Sequence, residues 1–175
     1  MSAKKDKPGS KIQQLVHDYL LDEGILRQRI KDPKIEFGYQ FAFPPGPQPQ
    51  MMAVFKPKDK DFLIIQIGTQ MAEPHVKALQ SLEDKQMNFF IEMRKILLLK
   101  NLLFRIDVQN YRYEISDQVF LNKSGTISKN DLFKLIRKVF SVAAYLNMLL
   151  GEYTSGKIKP EDFSKESGSD FTLYS

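Results

Sequence analysis

The sequence predicts an α+β fold. In it a two-layer, mostly antiparallel five-stranded sheet carries helices on one face, in the order helix, three strands, helix, two strands, helix. Three observations lead there. Apolar residues recur with a period of two over 35–43 and of 3.6 in longer segments. The strand segments 35–43, 51–56 and 62–68 follow one another across short turns, which favours an antiparallel meander. Laying amphipathic helices against such a sheet buries every apolar stripe at once. The 175 residues, 42% hydrophobic and 27% charged, suit one packed domain over 11–153, between a basic tail at 1–10 and a polar tail at 154–175.

Ser10 with Gln13 three residues on forms a capping box, so the first helix is expected over 11–23. Ile12, Leu15, Val16 and Tyr19 share its buried face, and Gly24 terminates it. From Ile35 to Phe43 every odd position is large and apolar, the mark of a strand. The segment PPGPQP at 44–49 lacks the amide donors to continue a ladder and reads as a loop. FLIIQIG at 62–68 is apolar on both alternating faces and reads as a central strand.

Pro74 suits the first turn of a short helix, and Ser81 with Asp84 marks a cap ahead of a long helix to about Lys100. Met87, Phe90, Ile91, Leu97 and Leu98 are expected to form its buried stripe. Residues 102–108 and 111–121 read as a hairpin turning at Gln109 and Asn110. Ser128 with Asp131 caps the last helix, where Leu132, Leu135, Ile136, Val139, Phe140, Ala143, Leu146 and Leu150 form a regular stripe.

The segment DFLIIQIGTQMAEPHVKALQSLEDKQMNFFIEMRKILLL has a strand ending in IGT, a following Pro-His pair and the SLEDKQ run before the long helix. With its flanking elements it resembles an uncharacterised archaeal domain family of unknown function over roughly residues 11–152. The element order is also similar to the secretion-chaperone-like fold of type III secretion chaperones. That resemblance implies a small dimeric protein that holds extended segments of partner chains.

Chemistry-bearing motifs are sparse. The sequence has no cysteine, which excludes disulfides, thiolate metal sites and a cysteine nucleophile. Its two histidines, His17 and His75, have no acidic partners at helix-face spacing, so no metal or cofactor is expected. His75 follows Pro74 near a helix start, where backbone amides can bind an anion. The nine glycines form neither GxGxxG nor a Walker sequence, and no GxSxG elbow accompanies the serines. Glu83-Asp84 and Asp59-Asp61 sit in a cap and a turn, where solvation explains them. SGTISKNDLF resembles half of a calcium loop, but Phe120 occupies the first ligand position. EFGYQFAF resembles an RNA-recognition strand, yet Glu36 and Gln40 break that pattern and its aromatics are expected in the core. The protein is therefore expected not to be an enzyme.

The net charge of +5 is dispersed: residues 1–11 hold four lysines and one aspartate, and Lys56, Lys58 and Lys60 cluster in one loop. MSAKKDKPGS has no apolar run behind it, so a cytoplasmic location is expected. Val139–Leu150 is too short for a membrane span.

The last helix is the most informative element. Phe133, Val142, Tyr145, Met148 and Leu149 flank its core stripe, leaving only a narrow polar strip. A helix apolar nearly all round is buried on more than one side. Two environments satisfy that condition, a central position in the core or a dimer or partner surface. The functional reading is a cytoplasmic, non-enzymatic protein-interaction module, chaperone-like or an adaptor, with a homodimer or another protein as its partner. The alternative is a nucleic-acid-associated protein that uses the basic tail and the lysine loop.

Overall fold

A computed structural model describes residues 10–156. The expected basic tail apart from Ser10, and the polar tail from residue 157 onward, lie outside the described residues. The elements are α1 (Lys11–Asp22), β1 (Leu26–Arg29), β2 (Ile35–Phe43), β3 (Gln50–Pro57), β4 (Phe62–Gln70), α2 (Glu73–Gln80), α3 (Asp84–Leu99), β5 (Leu103–Asp107), β6 (Arg112–Phe120) and α4 (Lys129–Thr154).

The fold is α+β, with an antiparallel sheet and four helices among the described residues. The sheet has six strands, not five, in the order β1-β2-β3-β4-β6-β5. The chain order is accordingly helix, four strands, two helices, two strands, helix. The added strand, LRQR, shows no apolar alternation because three of its four side chains face solvent. Its backbone pairing with β2 makes it a strand, Gln28 opposite Gln40 and Arg29 opposite Tyr39. Arg27 Nη1 donates to its neighbours' carbonyls, at 3.1 Å to Gly24 O and 3.0 Å to Leu26 O.

Two compact units are distinguished, and β4, β6 and α4 contribute residues to both. The first comprises the chain to Ile65 together with Gln118–Arg137. In it Ser10 Oγ accepts from Gln13 N, and α1 buries Ile12, Val16 and Leu20. Gly24, at φ +69°, closes α1 as a Schellman motif. Its N–H donates to Leu21 O and that of Ile25 to Leu20 O, while the Ile25 and Leu20 side chains are both buried. Three of the four aromatic positions of β2 are core, Phe37, Tyr39 and Phe41, while Phe43 is half-buried. The turn before α4 is organised by Asn122, whose Oδ1 accepts from the N–H and hydroxyl of both Ser124 and Thr126. Asp131 N donates to Ser128 Oγ at 3.0 Å, capping α4 as its spacing implies.

The second unit comprises Gln66–Asp117 and the chain from Lys138. Here the short helix from Pro74 and the long helix to about Lys100 are both present, as α2 and α3, where the expected element order counted one; Ser81 closes α2 instead of opening α3: its N–H donates to Lys77 O and its hydroxyl to Ala78 O. The break is fixed by Glu83, at φ +41°. Gly151 does not stop α4, which continues to Thr154. Thr154 is buried, and its hydroxyl donates to Leu150 O at 2.7 Å, so the helix passes the expected boundary at 153.

Candidate interaction surface

α3 is apolar on two faces. Phe89, Phe90, Met93 and Leu97 are buried, and the Phe89 and Phe90 rings meet edge to face at 5.2 Å. On the other side, Met87, Ile91 and Leu98 fall within about 40° of one another around the axis. All three are exposed, Leu98 at 67%, and Leu99 beside them is 84% exposed. The expected stripe of Met87, Phe90, Ile91, Leu97 and Leu98 therefore mixes the two faces, and only Phe90 and Leu97 belong to the core. The outward face also carries charge. Arg94 and Lys95 lie within about 60° of that stripe, whereas Lys85 and Lys100 point more than about 130° away from it; Arg94 and Lys95 are exposed, and neither forms an ion pair among the described residues.

α4 runs antiparallel beside α3. Tyr153 Oη donates to Glu92 Oε2 at 2.7 Å with its ring 5.4 Å from that of Phe89, and Lys138 Nζ reaches Asn101 O at 3.4 Å. The Glu92 carboxylate accepting its proton raises the pKa of Tyr153 above the ordinary phenol value. Asp117 Oδ2, 2.6 Å away, anchors Lys138. Between these two fastenings lie Tyr145 and Met148, 50% and 65% exposed, and on α3 Leu98 and Leu99. Leu103 at the start of β5 is exposed as well.

The five residues singled out on the last helix thus divide. Val142 and Leu149 are buried in the second unit and Phe133 in the first, where the Lys129 ammonium stands 6.0 Å from its ring centroid. Only Tyr145 and Met148 present their side chains to solvent. Sequence reasoning missed Met87, Ile91, Leu98 and Leu99 as surface residues. Their signal was available, since α3, like α4, has more apolar positions than one face holds.

The remaining chemical candidates are engaged elsewhere. His75 Nδ1 lies 2.9 Å from Thr154 Oγ1, and burial lowers its pKa. His17 bonds Asp18 Oδ1 at 3.0 Å and lies 5.7 Å from the Tyr39 ring. Lys56, one of the three clustered lysines, is paired with Glu36. A cleft of about 480 Å³ on the β5–β6 hairpin is lined by Arg105, Asp107, Arg112, Tyr113 and Glu114, among others. Its charges face each other across the strands, Arg105 opposite Glu114 and Asp107 opposite Arg112, so they balance within the cleft. Half-burial raises the pKa of Glu114, opposed by both arginines. Among the described residues no group of three His, Asp or Glu side chains is placed to hold a metal ion. No helix among them is long and apolar enough to cross a membrane.

No match among curated proteins reaches significance. A crystal structure of an uncharacterized protein from Methanothermobacter thermautotrophicus, an archaeal protein, shares the fold with a TM-score of 0.72. It is 22% identical in sequence, and the similarity covers 82% of this chain and 99% of that one. A family model described as an uncharacterized conserved protein matches residues 12–150, and the chain therefore belongs to that family, DUF2299.

Proposed function

We propose that this protein is a non-enzymatic interaction module, chaperone-like or an adaptor, that holds an amphipathic, acidic segment of a partner protein against the outward faces of α3 and α4. One observation carries the reading: Met87, Ile91, Leu98, Leu99, Tyr145 and Met148 are exposed on two adjacent antiparallel helices. Exposed apolar clusters rimmed by polar residues are a mark of interaction sites, and methionine supplies an adaptable contact. Arg94 and Lys95, beside the stripe and in no ion pair among the described residues, set the sign of the partner. Two copies of this face meeting directly would oppose base to base, whereas an acidic segment neutralises them.

The test is a titration of the full chain with a fluorescent amphipathic peptide of about four helical turns. One version is flanked by glutamates and the other by lysines. The acidic peptide binds, binding weakens with salt, and Leu98→Glu with Leu99→Glu abolishes it. Equal binding of both peptides, or none, refutes the proposal. Concentration-dependent mass without peptide binding assigns the surface to a homodimer instead. Salt-sensitive retention on single-stranded RNA would favour the nucleic-acid reading.

A further inference from the structure

The charges of the hairpin cleft balance, but only one of its two cross-strand pairs is closed. Alternate residues of a strand share a face, so Arg105 and Asp107 of β5 project from the same side of the hairpin as Glu114 and Arg112 of β6. Nearest the turn, Arg112 Nε donates to Asp107 Oδ2 at 3.0 Å. Asn110 donates to the same carboxylate twice, from its backbone N–H at 3.1 Å and from its side-chain amide at 2.8 Å. Three donors thus fix Asp107 in place.

The other pair stands open. Arg105 is directly opposite Glu114, a relation that sets Cβ atoms about 4.5–5.5 Å apart, yet neither side chain joins an ion pair among the described residues. Glu114 is half-buried, Arg105 is exposed, and both line the cleft. Gly68 of β4 lines it without a side chain, and Val108 adds an apolar one. Its volume, about 480 Å³, lies within the range of about 300–1,000 Å³ found for small-molecule sites.

Independently of the surface on α3 and α4, we propose that this cleft binds a free α-amino acid, its carboxylate on the Arg105 guanidinium and its ammonium on the Glu114 carboxylate. The balance of charge selects that class. A ligand with only a negative group meets repulsion from Glu114, and one with only a positive group meets repulsion from Arg105. A zwitterion satisfies both, and the guanidinium fork matches a carboxylate with two parallel bonds. An α-amino acid carries its two charged groups on one carbon, a spacing suited to side chains that face each other across neighbouring strands. An internal residue of a peptide carries neither charge and is refused. Val108 and the space beside Gly68 receive an apolar side chain.

The test is a titration of the nitrogen-15-labelled full chain, followed by amide chemical shifts, with L-leucine, N-acetyl-L-leucine and L-leucinamide. L-Leucine produces saturable shifts at Gly68, Arg105 and Glu114. The acetyl compound keeps only the negative group and the amide only the positive one, and each binds about ten- to a hundredfold more weakly. Arg105→Gln and Glu114→Gln weaken L-leucine by a similar factor while the rest of the spectrum stays folded. Absence of saturable shifts with L-leucine up to about 10 mM overturns the proposal. So does equal binding of L-leucine and its acetyl derivative, which makes the cleft a plain anion site, or full affinity in both folded variants. Acidic-peptide binding is unchanged by Arg105→Gln and Glu114→Gln, so the cleft and the helical surface stand or fall separately.

Discussion

Truncating Leu98 and Phe90 to alanine separates the two faces of α3. Leu98 is 67% exposed, so about a third of its side chain is out of water. Full burial of a leucine is worth about 1.5–3 kcal/mol, so the loss is about 0.5–1 kcal/mol, which the better helix propensity of alanine offsets by a few tenths. Phe90 is fully buried, against Phe89 and with its ring 6.2 Å from that of Tyr111, and Phe90→Ala costs about 3–5 kcal/mol. At about 2–4 °C per kcal/mol for a chain of this size, Phe90→Ala lowers Tm by roughly 6–20 °C, and Leu98→Ala by less than about 4 °C. Circular dichroism melts of both variants at one protein concentration decide the matter. If Leu98→Ala loses as much as Phe90→Ala, the outward stripe is structural and no docking surface can be built on it.

Three further outcomes are expected. In Gly38→Ala the new Cβ would lie 2.9 Å from Ile35 Cδ1 and 3.0 Å from Phe55 Cβ, so denaturant unfolding should show a loss of about 1–3 kcal/mol from overpacking. Tyr113 Oη donates to Asn147 Oδ1 at 3.1 Å, so Tyr113→Phe costs about 1 kcal/mol near neutral pH. Burial pushes its phenol pKa up to about 12; wild-type stability therefore falls with rising pH between 10 and 12, where the unfolded tyrosine ionises first, and the variant lacks that component. The folded-state pKa of His75 lies below 6.5, so the unfolded chain takes up that proton first on acidification. Stability from this group falls as the pH drops from about 6.5 to the folded value, then levels off. Urea midpoints at about pH 7.5 and about pH 5 should differ less in His75→Gln than in wild type.

Legibility in the sequence followed local signals. β2 was readable because its odd-numbered side chains are large and apolar, and α1 because Ser10 and Gly24 mark its ends with specific hydrogen bonds. β1 was not, since a polar strand is defined by the backbone it pairs with and LRQR carries no periodic trace of that pairing. Ser81 misled because the residue that begins one helix can also finish another, and the distinction lies in the φ of Glu83. On α3 the apolar positions exceed one face, and periodicity alone cannot say which face the core takes. The same surplus on α4 was noticed, yet Phe133, Val142 and Leu149 are inside while Tyr145 and Met148 are not. That division depends on neighbours distant in sequence, such as Glu92 for Tyr153 and Asp117 for Lys138.

The guanidinium of Arg27 has a bearing on how the protein behaves when crowded. An outermost strand invites end-on polymerisation, because a second molecule can zip onto its open amides and carbonyls. On the β1 margin Gly24 O and Leu26 O already accept from Arg27, and Arg29 adds a second positive group. A ribbon growing from that side would have to strip those bonds and bring like charges together. Fibrous assembly from β1 is thereby discouraged at concentrations where a bare margin of valine and isoleucine would seed it.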